Sequence, residues 1–251
     1  KMLDVVMHLK TPDGTCPQIG DNDDGRLLIL GDYKIKDKND YRYLLGLGAF
    51  IFNRSDFKFA SDKIPDEIFW LYGNIGFKNY KSIKKKQFLI KSKSFPCAGL
   101  YVIRNDEKKD YALIRTKCES IKSPLAHAHN DIFSIELWIG GIAIFVDPGS
   151  YCYTSDAIER NYFRSIKRHN TVTVNNEEIS KFDDNNIFYL EQNFSVKILK
   201  WDINEKNIIF IGEHNGYETL VPNCTHKRKI IYNFIDRKWL IEDEINNVKT
   251  P

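Results

Sequence analysis

The chain reads as a mainly β protein, an antiparallel β-sandwich over residues 95–251 preceded by a helical segment over residues 1–94. Two observations predict this. From about Phe95, runs of four to ten residues rich in Ile, Val, Phe and Tyr alternate with Asn, Asp, Gly and Lys turns, the spacing of an antiparallel sheet. Before Phe95, apolar residues recur at helical spacing around one polar, turn-rich loop.

Taken in order, Leu3, Val6 and Met7 give about two turns of amphipathic helix with no capping residue ahead of them, the texture of the interior of a longer protein. TPDGTCPQIGDNDDGR then supplies a loop studded with Pro and Gly. Tyr41 to Arg54 predicts a largely apolar helix weakened by its glycines, and Asp66 to Tyr72 a short one after Pro65. The lysines at 84–86 read as a solvated linker. GLYVIRN, DYALIRT, FSIELWIGGIAIFVD, NTVTVNN, FSVKILKWDI, NIIFIGEH, HKRKIIYNFID and KWLIEDEI then predict strands, with turns at WIGG, VNNEE and INEKN. No internal repeat is visible.

Composition narrows the function classes. Hydrophobic residues make up 42% and aromatic ones 13% of the 251, which is globular rather than disordered. Thirty-seven basic residues against 34 acidic ones leave a net charge of +3, too even to argue for nucleic acid. The longest apolar run, Ile142 to Val146, is strand-sized and predicts no membrane insertion. The opening KMLDVVMHLK has no small-residue cleavage site and so does not read as a signal peptide. Five cysteines without CxxC spacing read as mostly buried thiols.

Two motif readings fail on spacing. DNDDG at 21–25 suggests a calcium loop, but counting from Asp21 the sixth and twelfth positions are Arg26 and Asp32 instead of Gly and Glu; the segment reads as an acidic turn. HAHND at 127–131 offers the His-x-His of a cupin, but Phe133 and Ser134 stand where that fold wants its Glu. A lone His-x-His is more often polar packing than a ligand pair. What raises HAHND is its context. Asp147 ends an apolar run in FVDPGSYCY, and His169 sits at the mouth of the expected strand in RSIKRHNTVTVN. Two histidines and one aspartate suit Zn²⁺ with a position left open.

HAHND, an apolar run ending in DPGSYCY, and a basic segment entering RHNTVTVN together resemble the β-sandwich domain of the heparinase II/III-like polysaccharide lyases. PQIGDNDDGR, LLGLGAFIF and EIFWLYG resemble the end of that family's helical toroid, so the resemblance covers most of the chain. It implies a supersandwich-like domain, incomplete at the C-terminus, and the remnant of a toroid that lacks the family's other catalytic groups. It further implies that His127 is catalytic, with Tyr153 at a cleft position, and that His129, Asp147 and His169 hold one structural Zn²⁺. Arg164 matches the arginine ahead of the HNT motif; Arg164 and Arg168 would face substrate, and Asp131 would be a hydrogen-bond acceptor behind the ligands. The implied activity is β-elimination on a uronic-acid-containing acidic polysaccharide, in a periplasmic or secreted bacterial protein. The alternatives are a non-catalytic, zinc-stabilised glycan-binding module and a hydrolase using zinc-activated water.

Overall fold

A computed structural model describes residues 1–22, 30–31, 37–118, 125–183 and 186–247. Among them four helices come first: α1 (Met2–Leu9), α2 (Arg42–Phe52), α3 (Ser55–Ala60) and α4 (Asp66–Ser82). The expected helix at 41–54 is α2, stopped where Asn53 turns left-handed at φ 51°. The expected helix at 66–72 is longer than its sequence suggested. It kinks at Gly73 (φ 61°) and continues to Ser82, since glycine takes that conformation without steric cost.

The strands make two antiparallel sheets. The first holds β1 (Lys93–Phe95), β2 (Leu100–Asn105), β3 (Asp110–Arg115), β4 (Ile135–Ile139) and β5 (Ile142–Phe145), in that order. The second holds β6 (Val196–Ile203), β7 (Asn207–His214), β8 (Thr225–Asn233) and β9 (Lys238–Asn246), also in order. The β4–β5 turn carries positive φ at both Gly140 and Gly141, as a tight hairpin demands.

Burial explains why the strands read so differently. β7 and β8 alternate strictly, one face packed and one half-exposed. β2 and β3 are buried almost throughout because both faces of their sheet are covered. Tyr101, Ile103, Ala112 and Ile114 point into the core between the sheets, against Phe210, Ile230 and Tyr232. Leu100, Val102, Tyr111 and Leu113 point the other way, onto Leu9 and Cys16. Arg104 locks that second layer: Nη1 donates to the carbonyls of His8 (2.8 Å) and Lys10 (2.5 Å) at the end of α1.

Two expectations are corrected, for NTVTVNN and for the cysteines. NTVTVNN is no strand: Asn175 and Asn176 are left-handed, and Asn170 and Thr171 bond the carbonyls of Ile135, Val146 and Ile132 through their side chains. The strand-sized run Ile142–Val146 does supply a strand, β5, at the sheet edge with Ile142, Ile144, Phe145 and Val146 all exposed. Of the cysteines only Cys16 and Cys224 are buried. Residues 23–25 of the acidic turn, with Arg26 and Asp32, lie outside the described residues. No helix among the described residues is long and apolar enough to cross a membrane.

Candidate active site and metal centre

HAHND lies outside the sheets and helices, so its backbone groups are satisfied by other means. Helix α5 (Ala157–Arg164), capped by Asp156 on the N–H groups of Ile158 and Glu159, places Arg160 and Arg164 one turn apart on a buried face. Arg160 donates to the Ala126 carbonyl (3.3 Å) and Arg164 to the Ala128 carbonyl (3.1 Å). The Asn130 N–H donates to the Arg164 carbonyl and the Asp21 N–H to that of His127. Two arginines thus hold alternate carbonyls of the segment that carries the histidines.

His127 and His129 do reach one partner, as their i, i+2 spacing suggested, and that partner is Asp21. Its Oδ1 lies 3.1 Å from Nε2 of His129 and its Oδ2 3.3 Å from Nδ1 of His127. Arg160 also bonds Oδ2, and the side chains of Asp21, His129 and Arg160 are fully buried. Burial alone would raise the Asp21 pKa; the hydrogen bond from His129 and the charge of Arg160 outweigh it and hold the carboxyl below its usual range. The His127 ring is 55% exposed, and its Nδ1 is 2.8 Å from the Tyr153 hydroxyl. Phe188 packs against both rings and under the Arg160 guanidinium.

His129, Asp147 and His169 converge: one ligand atom from each lies within 4.8 Å of the others. The His129 and His169 rings are 5.3 Å apart. Nδ1 of His129 and both nitrogens of His169 are buried without a hydrogen-bond partner, a costly arrangement in a bare protein. Nδ1 of His169 is 3.1 Å from Oδ2 of Asp147, yet the two are not aligned as donor and acceptor. Atoms that approach closely without bonding each other are what shared coordination of a cation requires, and the group could hold a metal ion.

Other expectations are placed differently. Arg164 is 1% exposed, with its guanidinium on the Ala128 and Ile187 carbonyls; burial, then the neighbouring Arg160, pull its pKa down to about 10. Arg168 is exposed and stacked on Tyr162, 3.6 Å from the ring centre. Asp131 is buried against Arg115 (3.1 Å), so the acceptor behind His129 is Asp21 instead. Burial would raise Asp131; Arg115, His169 and His129 overcome this and lower it. Sequence reasoning passed over Asp21 as part of an acidic turn, and its only signal was a carboxylate after Gly20 in a loop otherwise rich in turns.

Comparison with known proteins follows these features. The sequence model of the heparinase II/III-like C-terminal domain matches residues 89–250. A heparin-sulfate lyase of Bacteroides stercoris is 30% identical over 155 residues, covering 60% of this chain and 20% of that protein. Another of that description, from Bacteroides thetaiotaomicron, is 27% identical over 168 residues, 62% of this chain and 21% of its own length. The fold superposes on a heparinase III structure with a TM-score of 0.68 at 20% identity, over 99% of this chain and 32% of that one. It superposes on the heparan sulfate lyase HepC of Pedobacter heparinus with a TM-score of 0.61 at 23% identity, over 96% and 31% respectively. The chain therefore spans about a fifth of the length of the curated relatives it matches. By the match over residues 89–250, the chain belongs to the heparinase II/III-like family.

Proposed function

We infer that this chain is the β-sandwich portion of a polysaccharide lyase that cleaves a uronic-acid-containing acidic polysaccharide by β-elimination. The observation that carries the reading is the pairing of a half-exposed His127 with the Tyr153 hydroxyl at 2.8 Å, directly beside a buried three-ligand cluster.

Elimination needs a base for the proton beside the uronic carboxylate, an acid for the departing 4-linked oxygen, and positive charge for the carbanion-like state. His127, whose imidazole can act as base or acid, takes the proton. Tyr153 offers its hydroxyl to the leaving oxygen. Arg168, the exposed cation on α5's C-terminal side, would approach the substrate's negative charge, while Arg164 serves the HAHND backbone. His129, Asp147 and His169 would hold Zn²⁺, and their shared coordination would be architectural, tying three segments together and fixing the ring next but one to His127. The helical residues 1–94 are assigned to the end of a toroid and residues 95–251 to the sandwich.

The test combines metal analysis with product analysis. About one zinc per chain is expected, absent from His129→Ala and Asp147→Ala. Incubation of the chain, and of the longer protein that would contain it, with acidic glycans should yield a product with a new conjugated double bond absorbing in the near ultraviolet. Cleavage without that absorbance would mean hydrolysis, and tight glycan binding without cleavage would mean a non-catalytic module; either result would overturn the reading.

A further inference from the structure

Asp21 has no part in the reaction as described, yet it is the hub of the site. Each of its oxygens faces a different histidine, and Arg160 closes the third side. The backbone around it is fixed independently. The Asp21 N–H donates to the His127 carbonyl at 2.9 Å and the Asn22 N–H to Ser150 Oγ at 2.8 Å. Gly20, at φ +62°, sits so close that a Cβ there would lie 2.3 Å from the His127 carbonyl oxygen. A carboxylate aimed so rigidly at two rings sets more than their orientation.

Opposite the buried guanidinium of Arg160 this carboxylate can only accept hydrogen bonds. A bare imidazole lone pair aimed at it would be repelled, so each nitrogen that faces it carries the hydrogen. We propose that Asp21 is a positioning residue that imposes opposite tautomers on the two histidines, Nδ1–H on His127 and Nε2–H on His129. The His129 assignment leaves Nδ1 bare, and Nδ1 is the nitrogen found buried with no partner beside Asp147 and His169. The His127 assignment leaves Nε2 as the basic nitrogen of a half-exposed ring. Its Nδ1–H is shared between Asp21 Oδ2 at 3.3 Å and the Tyr153 oxygen at 2.8 Å. The roles of base and metal ligand rest on the proposed function; the tautomers themselves do not.

Long-range proton–nitrogen correlation spectra of the full chain, labelled with ¹⁵N-histidine, read the tautomers directly. The parent should show Nδ1–H on His127 and Nε2–H on His129. In Asp21→Asn the amide offers one acceptor in place of two, so at least one histidine should change pattern and Zn²⁺ affinity, titrated with the metal alone, should fall 10- to 100-fold. Asp21→Glu, which keeps the charge opposite Arg160, should restore part of both. Parent spectra with His127 carrying Nε2–H would overturn the proposal, and they decide it even where Asp21→Asn does not fold. Unchanged tautomers and Zn²⁺ affinity in a folded Asp21→Asn would overturn it equally. Because neither readout involves a glycan, the expected tautomers together with cleavage of acidic glycans by hydrolysis would refute the proposed function and leave this inference standing.

Discussion

His214 and His226, register partners on β7 and β8, are joined ring to ring, Nε2 of the first lying 3.0 Å from Nδ1 of the second. The direction of the chain is fixed at both ends. The Gly216 N–H donates to Nδ1 of His214, so the His214 hydrogen is on Nε2 and donates to His226. His226 in turn donates from Nε2 to Asp243 (2.7 Å), whose carboxylate also receives both arms of Arg228 at 2.7 Å. Another Arg228 nitrogen reaches the carbonyls of Phe133 and Asn170, tying the second sheet to the segments that carry the ligands.

Both rings are satisfied while neutral, and an added proton on His214 would point at an N–H. Burial, followed by the nearby His226 and Arg228, pushes His214 down to about 3. The unfolded chain binds this proton from about pH 6.5 downward and the folded chain does not, so stability falls as pH drops through that window. This residue alone should remove about 1 kcal/mol between pH 7 and pH 5.5. His226, lowered chiefly by burial, acts in the same direction over this window; Asp243, held low by His226 and Arg228 against its own burial, does so only below about pH 4. Urea midpoints measured across this range should fall for the parent and fall less for His214→Gln.

Arg164 and Arg168 lie four residues apart and should behave oppositely. Arg164→Met leaves the Ala128 carbonyl without its side-chain donor, while Arg160 still serves the Ile187 carbonyl; the cost should be about 1–3 kcal/mol for a buried group, and zinc content should also fall if the proposed site is occupied. Arg168→Ala removes an exposed stack and should change stability by no more than about 0.5 kcal/mol. It should instead weaken binding to acidic glycans, most at low salt. Calorimetry and glycan titration on the two variants separate these outcomes.

Tyr153→Phe keeps the ring against His127 and Phe188 and removes only the hydroxyl. In the active protein, elimination should slow by roughly 10²- to 10⁴-fold, the usual contribution of a positioned acid or base. Affinity for the intact glycan and the melting temperature should hardly change. Equal loss of binding and turnover would remove Tyr153 from the chemistry.

Gly212 on β7 lies beneath Phe133, a fully buried residue held at φ 58° two positions after HAHND. A Cβ at Gly212 would stand 2.6 Å from the tip of that ring. Gly212→Ala should cost about 1–3 kcal/mol through overpacking. Because the displaced ring also touches His214 and His226, the pH dependence described above should steepen or shift in the same variant.

The sandwich was readable because its strands are spelled in period two or in solid apolar runs, and hairpins such as Gly140–Gly141 announce themselves. That His129, Asp147 and His169 come together was readable through a family resemblance, and local spacing alone left it open. What could not be read is anything set by the partner of a residue. Thr171 and Thr173 alternate with Val172 and Val174 like a strand, yet the side chains of Asn170 and Thr171 capture the carbonyls of Ile135 and Ile132. Arg164 looked like a surface cation and is buried, because a segment outside any sheet needs donors for its carbonyls. Asp21 lies 106 residues before His127, a separation that no local pattern spans.

That separation has a consequence for synthesis. A ribosome releases Asp21 long before His127, and Arg160 follows 139 residues behind it. Until α5 has emerged, the carboxylate has no buried guanidinium to face and stays in water. Loop closure over this span is a late event, and the cluster of His129, Asp147 and His169 waits on His169 in any case. Nascent chains halted short of that point would carry a sheet and no completed site, so burial of Asp21 against Arg160 is a clock for the completion of folding.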